Sequence, residues 1–524
     1  MDMSEREGVK RKGRRQFLQI GAGVLGASII AGCSSPAAPS ASTSQPQAPA
    51  ASGTSAAAAA PTQAAAPTQA AASASPASTG STTKQPVEVV YNTWWVPLQD
   101  VFGTFIKDFQ DANPGVTIKP QFITADYIQK MSAALVAGNF GDAATGNNNV
   151  DSKWQSGGYH HDLTDWLKAD GIDLQKEYSL GGLEIWCGKA LSLPMDNDDR
   201  AVYYNKTMIK AAGAKDPWDD LHGNWTWDDM IEIATKCTKK DSSGKISQYG
   251  FEVAYDNVQE MENFIWSLGG NYADWTTGKF TFTDPAVVQA FTLLNKWANQ
   301  DKFMLTNQAI SDLQGASGIN PFRAGIVALY QRASYDATLN EKQIGNKFEW
   351  DVAPIPAPGS FNPKSPGVPQ STANPQFVPK GAKNPQEGYK WLAYMMGDKA
   401  ETTFAQKKTM MVAKLSAWKT YQDTPPPKHA GSFVWYVYSR PHGFHYYSDL
   451  TNEVFYSVVQ PEIDKAFLGK QTVAEALQTA QKKIDTLGAA QSASCGSPYG
   501  ANGSPRAGYT TAELNQIGVH PYSS

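Results

Sequence analysis

Cysteine is scarce: four residues in 524, at positions 33, 187, 237 and 495. None stands in a CxxC pair, so neither a zinc ribbon nor a thioredoxin-like redox motif is indicated. With Cys33 set aside for the reason given below, an odd number remains. It suffices for one disulfide and one free thiol, whose pairing the sequence leaves open. Charge is sparse too, at 18% of residues, and 45 Lys and Arg against 49 Asp and Glu leave a net charge of -4. No basic stretch follows the N-terminal segment, which argues against nucleic acid as a partner. HExxH, GxSxG and P-loop motifs are missing, and with them the chemistries those spacings serve. No catalytic residue, cofactor or metal is therefore assigned. An exported glycoside hydrolase survives this filter, because its two carboxylates obey no local spacing rule. It stays as an alternative, beside a surface adhesion lipoprotein.

What is present begins at the N-terminus. Arg14-Arg15-Gln16-Phe17-Leu18 precedes a Gly/Ala-rich apolar run, Ile20 to Gly32, which ends at Ile30-Ala31-Gly32-Cys33. The run is shorter than the roughly 20 residues a transmembrane helix needs. Cationic residues before it and small residues at its end mark an export signal over residues 1–33. The Arg pair resembles a twin-arginine signal, and the Ile-Ala-Gly-Cys end resembles a lipobox, in which Cys33 is lipidated after cleavage. Residues 34–85 are nearly all Ala, Ser, Pro, Thr and Gln. They cannot bury enough apolar surface to offset ordering entropy and read as a disordered linker. Its root-mean-square reach is roughly 40 Å for about fifty residues. The expected location is extracytoplasmic, lipid-anchored to the cell membrane.

About 440 residues remain from Pro86 onward, too many for one core and suited to two lobes. Val87-Glu88-Val89-Val90-Tyr91 alternates as a strand does, with Asn92-Thr93-Trp94-Trp95 as the loop after it. Phe102, Phe105, Ile106 and Phe109 then recur at helical spacing, and Asn113-Pro114-Gly115 stops the helix. Val116 to Lys119 restarts an extended segment. This βαβ opening places its first loop at the strand edge where open α/β sheets bind ligands. Ala190 to Pro194 and Ala201 to Lys206 read as strands, separated by Asp196-Asn197-Asp198-Asp199-Arg200. Thr226 and Asp229 have the spacing of a capping box. Val287, Val288, Phe291, Leu294 and Trp297 share one face of a helix. Gly325 to Tyr330 is a buried strand leading to Arg332 and Tyr335.

The order of Leu193-Pro194, Tyr203-Tyr204-Asn205-Lys206, Ala212-Gly213, Asn224 to Asp229, Phe282-Thr283-Asp284-Pro285, Phe322-Arg323-Ala324-Gly325 and Val352-Ala353-Pro354-Ile355-Pro356 resembles the solute-binding proteins of ABC importers. The sugar-binding group that includes maltose-binding protein is the nearest in pattern. The resemblance covers about Val87 to Leu487. Thr424 to Tyr447 and the tail from Ala489 match no pattern of the family. The resemblance implies an α/β, two-lobe periplasmic-binding-protein type II-like fold with a hinge and an interlobe ligand cleft. Residues 86–195 with 372–425 would form lobe 1, residues 196–371 with 426–487 lobe 2, and 488–524 a C-terminal extension. Chain crossings are expected near Pro194 to Arg200, Gly367 to Asn374 and Pro425. The implied function is capture of a small solute, most simply a sugar or oligosaccharide, by a monomer that delivers it to the importer's membrane subunits.

A sugar site needs flat aromatic walls with amide, carboxylate and guanidinium groups at their edges. Trp94 and Trp95 are candidate walls, with one of the pair expected in the core. Asn148, in the run Asn147-Asn148-Asn149, sits where the resemblance places a cleft loop. Asp196 and Asp198 lie at the first crossing and could accept hydroxyls, or else pair with Arg200. A calcium loop there lacks its Gly and distal Glu. Tyr255, Arg332 and Tyr335 follow strands, and in the resemblance the Tyr335 position stacks on sugar. Trp435 and Tyr446 belong to a ring-rich loop. His160-His161 reads as an exposed turn rather than a metal site, since adjacent side chains diverge.

Overall fold

The computed structural model describes residues 86–148, 150–179, 184–274, 277–444, 451–486 and 508–522. The signal, the linker, Cys33, Cys495 and Tyr446 lie outside the described residues.

Ten strands build the two main sheets: β1 (Val87–Thr93), β2 (Val116–Phe122), β3 (Ala143–Thr145), β4 (Leu193–Pro194), β5 (Arg200–Asn205), β6 (Lys239–Lys240), β7 (Ile246–Glu252), β8 (Val327–Ala333), β9 (Trp350–Ala353) and β10 (Pro375–Phe377). The first sheet runs β2-β1-β3-β10-β4 and the second β9-β5-β8-β7-β6. β1 pairs in parallel with β2 and β3, and β10 joins antiparallel to β3 and β4. In the second sheet β5 is antiparallel to β8 and β9, while β8 and β7 are parallel.

The opening βαβ unit forms as its pattern predicts. The helix Gln99–Ala112 buries Phe102, Phe105 and Phe109. It ends at the Asn-Pro-Gly stop, where Gly115 takes φ 89°, a conformation glycine adopts without strain. β1 runs two residues beyond the expected strand, through Asn92 and Thr93. Both are buried and satisfied inside, Asn92 Nδ2 donating to the Phe140 carbonyl and Thr93 Oγ1 accepting from Thr145. Polarity therefore does not end the strand here.

β5 is buried along its whole length. Val202 and Tyr204 face one core, against helices Trp227–Cys237, Val258–Ser267 and Pro285–Asn299. Ala201 and Tyr203 face the other, which is continuous with the core under the first sheet. A strand with two dry faces reads as an apolar run, as Ala201 to Tyr204 do between Arg200 and Asn205. Thr226 and Asp229 form the predicted capping box. Pro285 stands in the first turn of its helix, with Asp284 accepting from Ala286 N.

The chain passes from the first sheet to the second between Pro194 and Arg200, and returns between Ala353 and Pro375. Backbone bonds tie these passages together: Asp198 N to Thr372 O at 2.7 Å and Met195 N to Asn374 O at 3.0 Å. The unmatched stretch after Asp423 turns at Ala430–Phe433 and Trp435–Tyr438, and Phe433 packs on Tyr203 of β5. In the described part of the C-terminal extension, the capped helix Thr511–Gln516 buries Leu514. His520 O accepts from Gln422 Nε2, and Tyr522 Oη accepts from Gly431 N.

Two expectations are corrected. His160 is not an exposed turn residue. It is 4% exposed, its ring stacks on Phe377 at 3.9 Å, and burial pushes its pKa down to about 3. A buried neutral imidazole packing as an aromatic explains the position. Arg200 does not pair with Asp196 or Asp198 side chains; its Nε meets Glu260 Oε1 at 3.2 Å. Of the cysteines, Cys187 is in a disulfide and Cys237 is a buried free thiol.

Candidate functional site

The first crossing delivers three buried aspartates to one place. Asp196 is held by Asn374, whose N and Nδ2 donate to it at 2.7 Å and 2.9 Å. Asp199 accepts from Tyr438 Oη at 3.1 Å and from Ser371 Oγ, and burial pushes its pKa up to about 8. Asp198 differs from both. Its carboxylate meets Asn148 Nδ2 of the first lobe at 3.5 Å, and its pKa is pushed up to about 6 by burial, with Arg200 and Arg332 opposing.

The second sheet supplies the cations. Glu260, fully buried, accepts from Arg200 Nε at 3.2 Å and from Arg332 Nη1 at 3.4 Å. Gln259 takes Arg200 Nη2 at 2.8 Å. This network removes Arg200 from solvent and fixes Arg332 at the end of β8. The Arg332 guanidinium lies 5.6 Å from the Tyr335 ring centroid, a cation–π contact that orients the ring. Tyr335 is half-buried, and Ser334 before it bonds the crossing through Asn197 O at 2.7 Å.

On the first lobe, Trp94 is half-buried and donates Nε1 to Gly146 O at 3.0 Å, which places it beside the Asn148 loop. The structure thus links Trp94, Asn148, Asp198, Arg332 and Tyr335 across the crossing. The remaining candidates are committed to other contacts or lie elsewhere. Trp95 is core, 6% exposed, edge-on to Trp94 at 4.9 Å. Asp196 is spent on Asn374. Tyr255 is corrected from ligand wall to packing residue: its ring stacks on Phe467 at 3.9 Å and its hydroxyl accepts from Asn307 N. Trp435 lines a separate cavity of about 540 Å³ with Trp218, His222, His429 and Tyr522. Tyr446 lies outside the described residues.

Sequence reasoning missed Glu260, Glu252 and Tyr456. Glu260 sits on the helix Val258–Ser267, and the fold places that helix inside, with Glu260 fully buried. Tyr456 is 38% exposed and lies in electrostatic reach of Asp256 and Arg332. It stands on the π-helical turn Phe455–Val459, a geometry frequent at functional sites. Among the described residues no helix is long and apolar enough to cross a membrane, and no cluster of three His, Cys, Asp or Glu could hold a metal.

A Brucella abortus protein named for a binding role is 24% identical over 317 residues, covering 57% of this chain and 69% of its own. An ABC substrate-binding protein from Listeria monocytogenes, solved with cycloalternan, superposes with a TM-score of 0.65 at 20% identity, over 77% of this chain and 100% of its own. The maltose/maltodextrin-binding domain from Bdellovibrio bacteriovorus, bound to maltotriose, gives 0.62 at 16% identity, over 76% and 99%. At these identities the two structures establish the two-lobe α/β fold. The family model for bacterial extracellular solute-binding proteins matches residues 95–402, more than half of the chain, and the chain belongs to that family.

Proposed function

We propose that this protein captures a sugar or oligosaccharide between its lobes and delivers it to the membrane subunits of an ABC importer. The observation that carries the reading is the convergence at the crossing. Trp94 and Asn148 come from one lobe, Arg332 and Tyr335 from the other, and Asp198 stands on the strap between them. Rings offer faces to C–H surfaces, while amide, carboxylate and guanidinium groups meet hydroxyls. The saccharides held by the structural neighbours support the same class. Residues 86–195 and 372–425 would act as one lobe, and 196–371 and 426–487 as the other, closing by rotation about the crossings. The protein works as a monomer, tethered outside the cytoplasm through lipidated Cys33, and binds without turnover. A thermal-shift screen of the purified protein against sugars tests this, because a ligand bound only to the native state raises its apparent stability. A sugar should raise the melting temperature and be recovered unchanged. If no saccharide does so, the sugar reading fails. If the sugar is cleaved, the protein is an enzyme.

A further inference from the structure

A cavity of about 310 Å³ opens beside Arg332, where β7, β8 and the helix Asn307–Ser317 meet. Glu252, Asp256, Asn307, Arg323, Arg332 and Asp336 are in its wall. Several of these hold buried polar atoms with no partner: Glu252 Oε2, both amide atoms of Asn307, and Arg332 Nε. Glu252 is 2% exposed and uses one oxygen only, which accepts from Asn320 Nδ2 at 2.5 Å. Leaving the second oxygen of a buried carboxylate without a donor is costly, and a site that must receive a donor explains it.

The charges are not balanced from within. Arg323 is committed to Asp336 at 2.5 Å. Arg200 and Arg332 share Glu260, and the one positive charge they have in excess faces Asp198. Glu252 and Asp256 are left, and among the described residues neither has a cation within ion-pair distance. Asp464 approaches Asp256 and adds a third negative charge. Burial pushes the Glu252 pKa up to about 7, with Asp336 adding repulsion and Arg332 and Arg323 opposing it. Asp256 is raised by burial, with Glu260 repelling and Arg332 attracting. A hydroxyl would satisfy Glu252 Oε2 but would leave the charge. An ammonium brings both a charge and three donors.

We propose that the solute carries an ammonium group, as an amino sugar does, and that this group is held in the cavity by Glu252 and Asp256. The Asn307 amide and Arg332 Nε remain for neighbouring ring hydroxyls. The inference rests on the sugar reading above and narrows it to an amine-bearing member of the class.

The test uses matched sets: each amino sugar, monomer and short oligomer, beside its N-acetylated and hydroxyl counterparts, titrated calorimetrically into the purified full chain. The tightest binder should be an amine, at least about tenfold tighter than its counterparts at pH 7. That preference should shrink as pH falls from 7 to 5 and Glu252 takes a proton, and shrink again at high salt. Glu252→Gln should abolish the preference, read as the ratio of amine to neutral-sugar affinity in the same variant. Asp256→Asn, at a half-exposed position, should reduce it and serves if the first variant does not fold. A neutral sugar as the tightest binder overturns this inference and leaves the sugar reading intact. A preference that survives both substitutions also overturns it. If no saccharide binds, the sugar reading falls and takes the inference with it.

Discussion

Trp94 and Trp95 are adjacent in sequence and opposite in predicted consequence. Trp95 is 6% exposed within the large core cluster, whereas Trp94 is half-buried at the edge of the site. A buried aromatic removes about 200 Å² from water, worth about 5 kcal/mol at about 25 cal/mol per Å². Mutational series give about 3–5 kcal/mol for such truncations. Trp95→Ala should therefore lower stability by about 3–5 kcal/mol, while each molecule that stays folded binds its sugar normally. Trp95 Nε1 is buried without a partner. Trp95→Phe removes that unmet donor, whose burial costs on the order of 1–3 kcal/mol, and so should destabilise much less than the alanine change. Trp94→Ala should give the reverse result. It loses one hydrogen bond to Gly146 and an edge contact, about 1–2 kcal/mol of stability. Its affinity should fall by about 1–3 kcal/mol, roughly 5- to 150-fold, as for an interface hot spot. Urea unfolding reads the first quantity and calorimetric titration the second. A Trp95→Ala protein as stable as wild type but unable to bind would refute the assignment. So would a Trp94→Ala protein with unchanged affinity and a collapsed melting temperature.

Three further outcomes are expected. Cys33→Ala should release the protein from membranes into the soluble fraction, and unchanged membrane association would dismiss the lipid anchor. Small-angle scattering should show a smaller radius of gyration at ligand saturation, whereas an identical value would count against hinge closure. Asp199 is raised from the ordinary carboxylate range to about 8 by burial, so the folded state holds a proton that the unfolded state has lost between about pH 4 and pH 8. Stability contributed by this proton falls as pH rises through that window. Asp199→Asn should flatten the decline in melting temperature between pH 5 and pH 8; parallel profiles for variant and wild type would reject this.

The elements legible in the sequence are those whose signals are local. Thr226 and Asp229 announce a helix start because both halves of a capping box lie within one turn. The helix at Pro285 shows its buried face as Val287, Phe291, Leu294 and Trp297. Arg332, Tyr335 and Asp198 could be singled out because a strand or a polar cluster places them at an edge. Where polarity is satisfied inside the fold, the reading fails. Asn92 and Thr93 look like a loop and are strand, because their partners at Phe140 and Thr145 are about fifty residues away. His160 looks like surface and is core, because its partner is Phe377. Glu260, which no local signal singles out, is the anchor of two arginines. Long-range pairing of this kind leaves no mark within a sequence window. The same holds for Tyr255, whose position after a strand suggests a ligand wall and whose partner, Phe467, comes from a distant helix.

The stretch after Asp423, which matched no family pattern, bears on how the lobes could move. Phe433 packs on Tyr203 at 5.7 Å between centroids, and Tyr438 packs on Trp418 at 4.4 Å. Tyr438 also donates to Asp199 in the first crossing, and Ser371 of the second crossing shares that carboxylate. The inner face of the second sheet and the core of the first lobe therefore belong to one apolar cluster at the crossings. Packed cores shift between discrete arrangements rather than deforming smoothly. Closure that kept this cluster intact would have to rotate the lobes about it, with the largest displacements at the far edge of the cleft. Lys153, on the helix Asp151–Ser156, is ion-paired with Glu453. Both side chains are about half exposed, so the pair contributes little by itself and can break at small cost. A fixed apolar pivot and polar contacts as weak as this one are what a protein needs if ligand contacts, rather than interlobe packing, are to decide between open and closed.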